Sequence, residues 1–226
     1  MSGYVQNFKV TLQLGSPFYL QDRLGLDGLL SYAVFVQTGL QGKDTVPHIP
    51  LEREHGLLAG SCIFYAQDYQ HQTFSRVMAL KKEGDMQAHH FRPQSKRGGK
   101  GDYSPIDLKR DTYKINMDNY PCIVAKEVYF YGRGDMKKTQ ALLELIPGIG
   151  KRANTGAGEI IGIFVEESED NYAFQLANAT PARYIPVPTW EELGGKPLPV
   201  TPMAIDLPRW SAPPVMCVSP LSLILK

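Results

Sequence analysis

Residues with the means to hold an anion are concentrated in one turn, Pro147-Gly148-Ile149-Gly150-Lys151-Arg152-Ala153-Asn154-Thr155-Gly156-Ala157-Gly158-Glu159. Glycine lets a backbone take positive φ and lets another chain approach closely. Successive exposed N–H groups then make a concave anion site, to which Lys151 and Arg152 add full positive charge. Gly148, Gly150, Asn154, Thr155, Gly156 and Gly158 complete the candidate site. A helix cap with a hairpin turn would need only two glycines. Four glycines with two cations exceed that need and point to a sugar–phosphate backbone, hence to nucleic acid.

Two other glycine motifs are tested against the same residues. Gly148-x-Gly150-x-x-Ala153 fits the relaxed dinucleotide fingerprint nominally, but that motif follows a strand and opens a helix. Here the order is reversed. Gly150-Lys151 fails as a P-loop because Arg152 stands where Ser or Thr is required.

A second basic segment is Gln94 to Tyr103, with Lys96, Arg97, Lys100 and the aromatic Tyr103. From Arg92 to Arg110 there are six basic residues and two acidic ones, a local net of +4. Such a run is either a solvated loop or a second element on the same strand, where Tyr103 and Phe91 could stack on unpaired bases. His89-His90 lies beside it, and His, Tyr and Lys can serve metal-independent RNA cleavage as base and acid. The alternative for the two histidines is plain exposure on a loop. Neither His48, His55 and His71 nor the acidic run Glu166 to Asp170 has ligand spacing, so no metal and no cofactor is expected. Asp27 reads as a helix N-cap.

These residues must be carried by a scaffold. With 226 residues, 43% hydrophobic and 21% charged, the chain has enough apolar material for a real core. A net charge of +1 means that any nucleic-acid site arises from local segregation of charge. Cys62, Cys122 and Cys217 are widely spaced and odd in number, which argues against a zinc ribbon or disulfide framework and fits a reducing, cytoplasmic compartment. No signal peptide or membrane span is expected.

Phe8 to Leu14 alternates as a half-buried strand. A helix is expected from about Asp27 to Gly39, its apolar stripe Leu26, Leu29, Leu30, Ala33 and Val34. Strands follow at Cys62 to Ala66 and Thr73 to Leu80, then a polar excursion from Lys81 to Asp111. Alternation restarts at Tyr113, Ile115 and Met117. Cys122 to Tyr131 reads as one strand, Met136 to Ile146 as a helix ended by Pro147-Gly148, and Ile160 to Val165 as a central strand covered on both faces. The order is compatible with an α+β, ferredoxin-like βαββαβ unit over residues 1–180, with an insertion at about 81–111. Residues 181–226 are proline-rich and read as an extended segment packed over the core, anchored by Tyr184, Trp190, Leu207, Trp210 and Val215.

A helix followed by Pro-Gly-x-Gly-Lys-Arg-x-Asn-x-Gly-x-Gly and an apolar strand resembles the glycine-rich loop of the CRISPR-associated RAMP superfamily. Three more elements are similar to the subunit of type IV CRISPR complexes that holds the 5′ handle of the guide RNA. They are Gly25-Leu26-Asp27-Gly28-Leu29-Leu30-Ser31-Tyr32-Ala33, Pro181 to Val187, and the Trp210-containing tail with Cys217-Val218-Ser219-Pro220. The resemblance implies an RRM-like fold and a non-catalytic subunit capping the crRNA 5′ handle. The 81–111 insertion would be a thumb, and the glycine loop would carry handle phosphates. Implied partners are backbone RAMP subunits and the large subunit, with target DNA touched only indirectly. A metal-independent endoribonuclease acting on repeat RNA is the alternative, and a nucleotide-binding enzyme a third reading.

Overall fold

The protein is described from a computed structural model, which describes residues 5–19, 24–78 and 116–220. It divides into two compact units: Met1–Gln72 with Cys122–Lys226, and Thr73–Pro121. The elements in chain order are β1 (Gln6–Leu14), β2 (Phe18–Tyr19), α1 (Leu26–Thr38), a 3-10 segment at Gly42–His48, β3 (Arg53–Glu54), β4 (Leu57–Leu58), β5 (Phe64–Tyr65) and β6 (Gln70–Met78). They continue with β7 (Asn116–Val124), β8 (Glu127–Gly134), α2 (Met136–Leu143), a single 3-10 turn at Ala153–Thr155, β9 (Ile160–Glu167), β10 (Ile185–Pro186), α3 (Val187–Glu192), β11 (Val200–Met203) and β12 (Val215–Val218). The class is α+β with antiparallel sheets.

The main sheet of the first unit has the order β5-β8-β1-β9. β1 occupies a middle position because its alternation supplies a continuous apolar face. Phe8, Val10, Leu12 and Leu14 are all buried. In register, Val10 lies between Phe130 of β8 and Val165 of β9, so one apolar row crosses three strands. α1 and α2 cover this face. Leu26, Leu29, Leu30, Ala33 and Val34 from α1 and Leu142 and Leu143 from α2 join the same buried cluster. Burying each such large side chain stabilises the fold by about 1.5–3 kcal/mol.

The expected helix from Asp27 to Gly39 is present, and Gly39 closes it with its amide on the Phe35 carbonyl at 2.8 Å. Its N-cap, however, is Gly25 in extended conformation, and no side chain caps it. Asp27 sits inside the first turn, only 2% exposed, and has a different task described below. α2 does have a side-chain cap, since Asp135 Oδ1 accepts from the Lys138 amide at 3.0 Å. α2 ends at Leu143 rather than Ile146, the chain continuing through tight turns at Leu145 and Ile146.

Four further expectations are corrected. Cys122 to Tyr131 is not one strand: β7 ends at Val124 and β8 begins at Glu127, and a run of β-branched and aromatic residues does not mark that break. β9 is not central but lies at the sheet edge, with Ile161 65% and Phe164 47% exposed. The C-terminal segment is not merely extended. It builds a three-stranded sheet of order β10-β12-β11 and the short helix α3, whose Trp190 is buried against Leu57, Phe174 and Ile185. Proline is tolerated there at a helix start and on short strands. Trp210, expected as an anchor, is 86% exposed.

β6 and β7 lead into and out of the second unit, where Ser75 Oγ donates to Asn119 Oδ1 at 2.7 Å. The whole 81–111 excursion expected between these strands, with all of its candidate residues, lies outside the described residues.

Candidate nucleic-acid interface

The glycine turn grows directly out of the sheet. After a register shift at Gln13/Leu14 the β1–β9 pairing closes with Leu14 opposite Ile160, and Gly15 donates its amide to the Glu159 carbonyl at 2.9 Å. Ser16 then clamps the turn from outside. Its hydroxyl donates to the Gly156 carbonyl at 2.7 Å and accepts from the Glu159 amide at 3.0 Å. Pro17 accepts from the Gly158 amide at 2.9 Å.

Inside the turn, Ile149 donates to the Gly158 carbonyl at 2.8 Å and Ile160 to the Pro147 carbonyl at 2.9 Å. Thr155, Gly156 and Ala157 donate to Arg152 or Ala153 carbonyls at 2.8–3.3 Å. The backbone N–H groups of residues 149 and 155–160 are therefore spent on holding the turn. The expected row of exposed N–H groups is much reduced, and the turn's offer to an anion rests mainly on side chains. Gly158 is indispensable to this geometry. Its φ is +63°, and a Cβ there would stand 2.3 Å from the Ile149 carbonyl oxygen.

Arg152 is one of the few non-glycine residues in the left-handed region, at φ 64°. That conformation costs on the order of 1–2 kcal/mol. It carries the guanidinium over the Tyr19 ring, 5.6 Å from the centroid. Lys151 beside it is exposed and pairs in backbone register with Tyr19.

These residues form one wall of an open groove of about 950 Å³. Gly148, Gly150, Lys151, Arg152 and Asn154 line it, together with Leu29 and Tyr32 of α1 and the pair Arg209-Trp210. Thr155, Gly156 and Gly158 are not in the lining. They build the turn, the Thr155 hydroxyl donating to the Arg152 carbonyl at 2.9 Å. Lys96, Arg97, Lys100 and Tyr103, like His89 and His90, lie outside the described residues.

Tyr32, Arg209 and Trp210 were not among the expected site residues. Tyr32 is on α1 but off its apolar stripe, and is 51% exposed. Arg209 lies in the groove lining bound to a buried carboxylate, with Trp210 next to it in the chain. Asp27 Oδ1 accepts from Arg209 Nη2 at 2.7 Å, and Asp27 Oδ2 from Arg183 Nη2 at 3.0 Å. Arg183 also donates to the carbonyls of Leu58 and Gly60. Burial alone would raise the Asp27 carboxyl. The guanidinium groups of Arg209 and Arg183 overcome that and, with the Gly28 amide, hold it below its ordinary value of 3.8. In return Asp27 holds Arg209 above its ordinary value. The one signal in the sequence was a cation next to an aromatic within a proline-rich stretch.

The groove lining contains no carboxylate among the described residues. The sheet face opposite α1 and α2, partly covered where Tyr129 and Tyr131 pack with Tyr172, Leu176 and Ala182, differs. There Lys9 Nζ sits 4.2 Å over the Tyr129 ring, but Glu127 accepts from the Tyr129 hydroxyl at 2.8 Å and from Gln13 at 3.1 Å, and Glu166 lies opposite Lys9 in register. Carboxylates on that face repel phosphate. An anionic polymer therefore finds its attraction in the groove rather than on the sheet.

All three cysteines are free and buried. Among the described residues no three His, Cys, Asp or Glu side chains gather as a metal site, and no helix is long and apolar enough to cross a membrane. No protein-family model matches the chain, and no curated protein matches it.

Proposed function

We propose that this chain is a non-catalytic RNA-binding subunit of a type IV CRISPR ribonucleoprotein, gripping the 5′ handle of the guide RNA through its glycine turn. The observation that carries this reading is the groove: two adjacent cations on a turn stiffened by its own hydrogen bonds share its lining with exposed aromatics and, among the described residues, with no carboxylate. Phosphate attraction, close backbone approach and base stacking are the three things a single strand needs from a protein. The strand order β5-β8-β1-β9, with α1 and α2 on one face, supports a ferredoxin-like, RRM-like core. The resemblance of the Pro147–Glu159 turn to the RAMP glycine loop supplies the assignment to that superfamily. On this reading the backbone and large subunits of the complex are the protein partners.

The test is the salt dependence of guide-RNA binding. Replacing Lys151 and Arg152 together by Ala removes two cations from the phosphate path. The slope of log K against log salt then flattens by about 1.4 units for a single strand. The RNA stays intact through long incubation in EDTA. An unchanged slope would take the turn out of the interface.

A further inference from the structure

The chain has two tryptophans in opposite settings. Trp190 is 2% exposed and donates its indole N–H to the Lys196 carbonyl at 2.7 Å, as a core residue does. Trp210 is 86% exposed, although its neighbour Arg209 is bound to a buried carboxylate. One exposed ring is ordinary, but Trp210 shares its groove with Tyr32, 51% exposed, and rings exposed together mark a binding surface. Trp210 lines the groove that contains Lys151 and Arg152, and Tyr32 lines it too.

The geometry points to Trp210 as the stacking surface for one unpaired base of single-stranded RNA, with neighbouring phosphates on Lys151 and Arg152. This rests on the RNA-binding reading above and extends it to the state of the strand. A base inside a duplex already has both faces covered and offers none to an indole, so the groove selects an unpaired nucleotide. Charge decides against an ordinary mixed-charge protein surface as occupant, because the lining offers cations and no carboxylate among the described residues. The indole reads a π face that every base has, so the contact favours unpaired over paired bases without favouring one base.

The test uses the full chain, single-stranded RNA 15-mers of mixed sequence and the same sequence as a duplex. Because Trp190 is buried, changes in tryptophan emission and acrylamide quenching on binding report on Trp210. Single-stranded RNA is expected to quench the emission and shield the indole from acrylamide, and the duplex to do neither. Trp210→Ala should weaken single-strand binding by between about 5- and 150-fold with the salt slope unchanged, and Trp210→Phe should restore most of it. The exposure of Trp210 makes both variants compatible with folding, which an unchanged melting temperature checks.

If RNA binds with the Lys151/Arg152 salt slope while Trp210→Ala binds within twofold of the parent and acrylamide access is unaltered, the stacking role is overturned and the RNA reading stands. If Trp210 is shielded but removing Lys151 and Arg152 leaves the slope intact, the stacking role stands and the turn's role falls. If neither RNA binds, both fall.

Discussion

Arg209 and Asp27 are separated by 182 positions in the chain, yet Arg209 Nη2 and Asp27 Oδ1 lie 2.7 Å apart. The bond ties the C-terminal segment to the first turn of α1. Asp27 is shared with Arg183, so one buried carboxylate serves two guanidinium groups. A buried pair of this kind contributes little net stability compared with apolar packing, but losing one partner strands charge in a low-dielectric interior.

Asp27→Asn is therefore expected to destabilise the protein by about 3–5 kcal/mol in urea denaturation near neutral pH. A pH dependence follows with a definite sign. The folded carboxyl titrates below its unfolded value, so its stabilisation is fully present above about pH 4–5 and is lost as pH falls through the folded value. Between pH 5 and about 2.5 the parent's urea midpoint should fall more steeply than that of Asp27→Asn. Parallel declines would show that Asp27 is not held in its charged form by the arginines.

The two glycines that end the turn are expected to respond differently to a methyl group. At Gly158 a Cβ meets the Ile149 carbonyl oxygen at 2.3 Å, so Gly158→Ala must open the turn. At Gly156 nothing lies within 4 Å, and only the positive φ of 86° is unfavourable. Gly156→Ala should cost about 1–2 kcal/mol and keep RNA binding. Gly158→Ala should cost more than that and lose binding, as measured by denaturation and filter binding on the same preparations. Equal costs would mean that the contact at Gly158 relaxes without consequence.

Tyr129 provides a spectroscopic check on the sheet face opposite α1 and α2. Burial, together with its hydrogen bond to Glu127 and that residue's charge, pushes the phenol up to about 12. Glu127→Gln removes the charge and lets the phenol ionise nearer its ordinary value of 10. In phenolate absorbance titrations the variant should gain one tyrosine in the band below about pH 11. RNA affinity should not fall, since this face lies off the proposed path.

Elements with short-range signals were legible in the residues themselves. The alternation Phe8 to Leu14, the three-to-four spacing from Leu26 to Val34, Gly39 at a helix end and Pro147-Gly148 after α2 each depend on neighbours a few positions away. So does the glycine turn, whose backbone freedom belongs to its own residues. Long-range facts were not legible. The apolar run Ile160 to Val165 reads the same at an edge as in the middle of a sheet. It is an edge because β8 holds the other side of β1 and, among the described residues, no strand pairs beyond β9 in that sheet. Local sequence suggested a capping role for Asp27, but the arrival of Arg183 and Arg209 made it the buried tie. Trp210 was read as a core anchor because hydrophobicity alone cannot tell which large rings find a cavity. Trp190 is buried in one cluster with Leu57, Phe174 and Ile185, while Trp210 lines the groove and stays exposed. Local chemistry determined the turn and its cations. Tertiary packing alone decided which side chains share their groove, because burial and charge pairing depend on which distant segments the folded chain brings together.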